Sequence, residues 1–151
     1  MAVCVLPHTQ PRMRREISTA LTVLLPALVG CSSHTLDSKD LSSSLRATSS
    51  LAADADVFIE YLGSGHSTAT FARAHAGYLI QELEDERQDL AGARVAPQLG
   101  PSLDFCQKQQ EELRGELRTL ESAIGHPDEL PDIRKQIRAI GQAAAQARSG
   151  L

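Results

Sequence analysis

The sequence predicts an all-α protein, an antiparallel four-helix bundle built from two helical hairpins and preceded by an N-terminal segment of different character. Three observations predict it. Apolar residues recur at alternating spacings of three and four along four separate stretches, the period of a helix with one buried face. Glycine and proline punctuate the joints between those stretches. Aromatics are scarce: Phe58, Tyr61, Phe71, Tyr78 and Phe105, with no Trp. Ala and Leu take their place, which favours helices over strands.

The first segment, about 38–62, aligns Leu41, Leu45, Thr48, Ala52, Ala55, Ile59 and Leu62 on one face, widened by Leu51 and Phe58. Asp37 or Ser38 can cap its start, and Gly63-Ser64-Gly65 stops it and permits a tight reversal. The second, about 67–91, has a less regular stripe: Phe71, Ala74, Tyr78, Leu79, Leu83, Glu86 and Leu90, with Ile80 alongside. Residues 92–101 form the longest connection, opened by Gly92 and closed by Gly100-Pro101, and divide the two hairpins.

The third segment opens at Pro101 or Ser102, with proline tolerated in the first turn. It holds Leu103, Cys106, Gln110, Leu113, Leu117, Leu120 and Ile124 in an unbroken heptad register, Gln110 being the one polar member. The fourth follows Gly125-His126-Pro127, becomes regular near Pro131, and repeats the pattern with Leu130, Ile133, Ile137, Ile140, Ala144, Ala147 and Leu151. A strict period of 3.5 points to nearly parallel axes with left-handed supercoiling. One hairpin with so narrow a stripe buries too little to stand alone. Four helices of about 18–25 residues close into an up-down-up-down bundle roughly 30–37 Å long. The rival arrangement, two hairpins meeting only through a second copy, leaves a homo-oligomer open.

Gly115 and Gly141 interrupt segments three and four. Each costs up to about 1 kcal/mol in a helix interior, so each marks a close helix approach or an exposed kink. Glu82, Glu84, Asp85, Glu86 and Asp89 on segment two complement Arg134, Lys135, Arg138 and Arg148 on segment four if the two are neighbours; otherwise the acidic run is a solvated face.

Ahead of the helices lie Arg12, Arg14 and Arg15, then an apolar run from Ile17 that closes on Leu28-Val29-Gly30-Cys31, followed by Ser32-Ser33. Residues 17–30 are shorter than the roughly 20 apolar residues a spanning helix needs. Pro26 breaks a helix near their end. Positive flank, short apolar stretch and small residue are the layout of a secretory signal. A start at Met13 would give Met-Arg-Arg-Glu directly before the run, a more usual signal than one beginning at Met1. Leu28-Val29-Gly30-Cys31 resembles the lipobox of bacterial lipoproteins. The resemblance implies cleavage between Gly30 and Cys31, diacylglycerol on the Cys31 thiol and a further acyl chain on its new amino group. It divides the chain into a signal peptide (1–30), a lipidated cysteine with a short tether (31–37) and a helical domain (38–151). It also implies a bacterial cell-envelope address, on a membrane and facing the periplasm or the exterior. Two or more acyl chains hold stably where one does not. Ser32, in place of the Asp that retains many lipoproteins at the inner membrane, implies transfer to the outer one.

Residues 1–30 contribute Arg12, Arg14, Arg15 and Glu16, so the remainder carries a net −6 against −4 for the whole chain. That acidity argues against a nucleic-acid partner. Cys106 is the one thiol left beyond Cys31 after Cys4 departs, which excludes an intrachain disulfide and suits a small apolar core residue.

Catalytic chemistry finds no support. Gly63-Ser64-Gly65-His66-Ser67 lacks the nucleophile-elbow spacing, and there is no Gly-rich phosphate loop, Cys-x-x-Cys or dinucleotide fingerprint. No cofactor is expected beyond the lipid on Cys31. Metal is the sharper alternative, with His75, Glu82 and Glu86 as candidate ligands on segment two. Against it, no Glu has a His three residues later, and His66 and His75 stand about 180° apart around a helix. Phe58, Tyr61 and Phe71 gather near the first hairpin tip and are the candidate partner surface. An inward Ile59 turns Tyr61 about 160° off the stripe, towards solvent. The expected function is a non-catalytic, membrane-anchored interaction or accessory module that binds another envelope protein. The alternative is a periplasmic metal or small-ligand binder.

Overall fold

Asp37 sets where the first helix begins. Its carboxylate accepts the backbone N–H groups of Lys39 (2.8 Å) and Asp40 (2.9 Å), and Asp40 returns a carboxylate oxygen to the Asp37 N–H at 3.0 Å. This reciprocal capping box satisfies donors that a helix start otherwise leaves orphaned. The bond from the Asp40 backbone holds the Asp37 carboxyl below its usual range.

A computed structural model describes residues 35–151. The signal-like stretch 1–30, Cys31 and the tether as far as residue 34 lie outside the described residues. From the Asp37 cap, α1 runs Ser38–Gly63; α2 spans Ala69–Leu90, α3 Gly100–Ser122 and α4 Leu130–Arg148. The fold is all-α. Gly65 (φ 74°) and Gly125 (φ 103°) take left-handed backbone angles in the turns after α1 and α3, a conformation open to glycine at little cost.

The connection after α2 is more structured than a plain loop. Arg94–Val95 (β2) pairs in parallel with Thr35–Leu36 (β1), Thr35 opposite Arg94 and Leu36 opposite Val95. A 3-10 turn at Pro97–Leu99 then leads into α3, one residue ahead of the expected proline start. Leu36, within the span assigned to the tether, is buried among Leu41, Leu45, Leu90 and Cys106.

The heptad stripes of α1, α3 and α4 are the buried faces the spacing predicts, only their outermost members, Leu151 among them, being partly exposed. On α2 the stripe is displaced by one residue in its first half. Ala72 and Ala76 are buried, whereas Phe71, Ala74 and Tyr78 face outward. The reason is room: small side chains let α2 lie close to its neighbours, and Phe58 of α1 supplies the aromatic bulk inside. Phe58 is 4% exposed, so it belongs to the core face that it widens and not to the partner surface where the sequence also placed it.

Two apolar clusters fill the interior. Between them lies a polar level. Thr48 Oγ1 donates to the Ser44 carbonyl (2.9 Å), Gln110 Nε2 donates to Ser44 Oγ (3.1 Å), and the Cys106 thiol points to the same hydroxyl at 3.6 Å. Gln110 is 1% exposed, and its Oε1 has no hydrogen-bond partner.

The charge complementarity is realised between different helices from those the sequence suggested. Arg134 and Arg138 of α4 converge on Asp56 of α1, each Nε 2.6 Å from Oδ1, and Arg134 also reaches Glu60 at 2.5 Å. Glu84 of α2 binds Arg87 (2.8 Å) on its own helix and Arg114 (3.3 Å) on α3. Beside the Asp56 cluster, a Cβ placed on Gly141 would meet the Ala52 Cβ at 2.9 Å, so α1 and α4 touch where both carry minimal side chains.

Candidate interaction surface

Four aromatic rings and one imidazole meet where α1 ends and α2 begins. Phe58, at the edge of the α1 core face, lies 4.4 Å from the His75 ring and 6.5 Å from Phe71, edge to face. Phe71 stacks on His75, one helical turn further along α2, at 5.9 Å and 9°. Tyr61 meets Phe71 edge-on at 6.2 Å, and Tyr78 flanks His75 at 6.0 Å. These are the preferred geometries of interacting rings, so each ring holds its neighbours in place.

The outer members remain open to solvent. Tyr61 is 44% exposed, Phe71 51% and Tyr78 53%, and Val57, one turn before Tyr61, is exposed as well. The Tyr61 hydroxyl donates to the His66 carbonyl at 3.4 Å, while Ser64 Oγ donates to the Tyr61 carbonyl at 2.6 Å and lies 3.0 Å from His66 Nδ1. These bonds brace the turn that carries the exposed rings. Of the predicted partner residues, Tyr61 and Phe71 are thus together on the surface, with Phe58 beneath them as a buried support. Tyr78 was missed as a surface residue because its bulk drew it into the core stripe.

The proposed metal ligands are not brought together. His75 is held among rings, and Glu82 and Glu86 follow it along α2 by two and three helical turns, rises of about 10 and 16 Å. Among the described residues no three His, Cys, Asp or Glu side chains gather as ligands of one ion would.

Glu86 belongs instead to the polar level. It lines an open cleft of about 560 Å³ between α1 and α2, with Leu36, Asp40, Ser43, Ser44 and Asp89 among its walls. Burial raises the Glu86 pKa, and the charges of Asp89 and Glu82 raise it further. Cys106 lies close by, its thiol pushed up by burial, which makes it a poor nucleophile.

No family model matches the chain, and no curated protein or solved structure matches it. No helix of the described residues is long and apolar enough to cross a membrane.

Proposed function

We infer that the chain is a lipid-anchored envelope protein whose helices form an antiparallel four-helix bundle and whose work is to bind another protein of the envelope. The observation that carries the binding reading is the half-exposed ring cluster of Tyr61, Phe71 and Tyr78. Rigid aromatic side chains left in water are unfavourable for a protein with nothing to cover them, and they are the residue types that dominate interface energetics. The bundle reading is supported by the order of contacts between α1 and α4. Ala52 faces Gly141, Asp56 meets Arg138 and Arg134, and Glu60 meets Arg134, so numbering rises along one helix as it falls along the other. The lipid anchor rests on Leu28-Val29-Gly30-Cys31 and the arginines before it.

Two measurements test the reading. Intact mass of the protein recovered from its own membrane fraction should give a chain beginning at Cys31 with added acyl mass, which Cys31→Ala removes. An unmodified chain that keeps residues 1–30 would overturn the anchor. A photo-crosslinking amino acid at Tyr61 should capture one discrete protein from intact cells, while the same group at Glu121 on α3 should not. Equal, diffuse labelling from both positions would overturn the assignment of the surface.

A further inference from the structure

The flank shared by α1 and α2 carries more than the aromatic tip. On α2, Phe71, His75, Tyr78, Glu82, Asp85 and Asp89 follow one another at spacings of four and three, a second heptad stripe beside the buried one. Its first half is aromatic and its second half acidic. The facing side of α1 repeats that order in reverse, with Phe58 and Tyr61 at the tip, Asp54 between and Asp40 in the cleft. No Lys or Arg interrupts either stripe.

On the α1–α4 and α2–α3 sides arginines neutralise the carboxylates that face them. Asp56, Glu60, Glu84, Glu111 and Glu112 all lie in salt bridges, on the α1–α4 and α2–α3 sides or along α3. Asp54, Glu82, Glu86 and Asp89 form no salt bridge among the described residues. The cleft lined by Asp40, Glu86 and Asp89 reaches inward to Ser44, the hydroxyl that takes the Gln110 amide hydrogen, and Gln110 itself keeps an unpartnered carbonyl oxygen at 1% exposure. One flank therefore combines preset aromatic anchors, carboxylates without a salt bridge and a polar recess, with no cation on either stripe.

We propose that this flank is the docking groove for a cationic amphipathic helix of another polypeptide, whose apolar side chains cover Tyr61, Phe71 and Tyr78 and whose Lys or Arg side chains enter the cleft walled by Asp40, Glu86 and Asp89. The proposal rests on reading the chain as an interaction module and names the chemistry of its partner. An amphipathic helix laid along a groove is a recurrent recognition mode, with anchors one turn apart. From Phe71 to Asp89 the groove takes a helix of about 18 residues, roughly 27 Å. Charge complementarity sets the direction in which it lies, with its basic end over the acidic half.

The test uses the full chain, isotopically labelled for NMR, and two synthetic amphipathic helices of about 18 residues, one of Leu and Lys and one with Glu in place of every Lys. The Lys peptide should bind, shift backbone signals along the α1–α2 flank and bind more weakly as salt rises. Phe71→Ser with Tyr78→Ser should weaken it about tenfold or more, the scale of losing an interface hot spot. Glu82→Gln with Asp89→Asn should weaken it and flatten its salt dependence, while Glu111→Gln on α3 should leave it unchanged. These substitutions are of exposed residues, and an unchanged thermal melt would show the fold intact. Equal binding of the Glu peptide, shifts on α3 and α4 instead, or variants that bind like the unaltered chain would each overturn the proposal. Self-association abolished by Phe71→Ser would assign the groove to a second copy and overturn it too. If the Lys peptide fails while Tyr61 still captures a discrete protein in cells, the interaction reading survives without the cationic partner. If the peptide binds but Tyr61 captures nothing, the groove chemistry stands and the cellular reading falls.

Discussion

Gln110 is the residue at which the core departs most from an apolar bundle. Its amide nitrogen is served by Ser44, but its carbonyl oxygen is buried without a donor, a deficit worth roughly 1–3 kcal/mol. Replacing the pair together, Gln110→Leu with Ser44→Ala, should raise the thermal midpoint, while Ser44→Ala alone should lower it by stranding the amide nitrogen as well. Calorimetry on the three variants checks this. Cys106 sits at the same level, fully buried, so Ellman's reagent should find no reactive thiol at that position until the protein is unfolded. Asp56 behaves in the opposite way to Gln110, because Arg134 and then Arg138 bond its carboxylate and hold its pKa below the usual value. A depressed carboxylate contributes stability that is complete above the unfolded-state pKa, about 3.9, and fades as pH falls through the lower folded value. Asp56→Asn should therefore lower the melting temperature by a few degrees at neutral pH, with the difference shrinking only below about pH 4. A pH series of thermal melts reads it directly.

At the scale of the helix, the two interior glycines separate. Gly141 faces Ala52 across the α1–α4 contact, with no space for a methyl group, whereas Gly115 has nothing within 4 Å of an added Cβ. Gly115→Ala should stabilise by up to about 1 kcal/mol through helix propensity alone. Gly141→Ala gains the same propensity but must force the helices apart, at about 1–3 kcal/mol, so its net effect should be destabilising. Urea melts on both variants decide it. The sequence marked both positions without distinguishing them, because spacing reports which face a residue occupies and not how near the neighbouring helix comes. The same limit explains α2. Phe71, Tyr78 and their neighbours form one regular heptad stripe and Ala72, Ala76, Leu79 and Leu83 another, so periodicity alone supports two registers. Bulk suggested the aromatic one, and close packing selected the alanines. In α1, α3 and α4 one stripe was plainly more apolar than any other, and there the apolar buried face was legible, though the polar Ser44 and Gln109 beside it were not. The exposed aromatic flank was legible at Tyr61, by angle from Ile59; at Phe58 the sequence offered both the widened core face and the partner surface, and what α2 places opposite it decides for the core.

The whole molecule distributes its charges by side. Arginines knit α4 to α1 and α3 to α2, whereas the α1–α2 flank carries carboxylates without a salt bridge among the described residues, with Glu86 held at a raised pKa by burial and by its acidic neighbours. A raised carboxylate costs stability above its folded pKa and none once pH falls below the unfolded value. Glu86→Gln should accordingly raise the melting temperature at neutral pH and lose that advantage in mild acid, a profile opposite in sign to that of Asp56→Asn. The short pairing of Thr35–Leu36 with Arg94–Val95 carries a further consequence. It fixes the chain to the folded body only four residues after Cys31, a stretch that spans at most about 14 Å even when fully extended. The aromatic tip lies at the far end of α1, where Tyr61 is roughly 35 Å beyond Ser38. Held by a lipid at Cys31, the protein would act as a stand-off post. Its foot would be too tightly leashed to wander from the bilayer, and the reach of its aromatic tip would be set by the length of one helix.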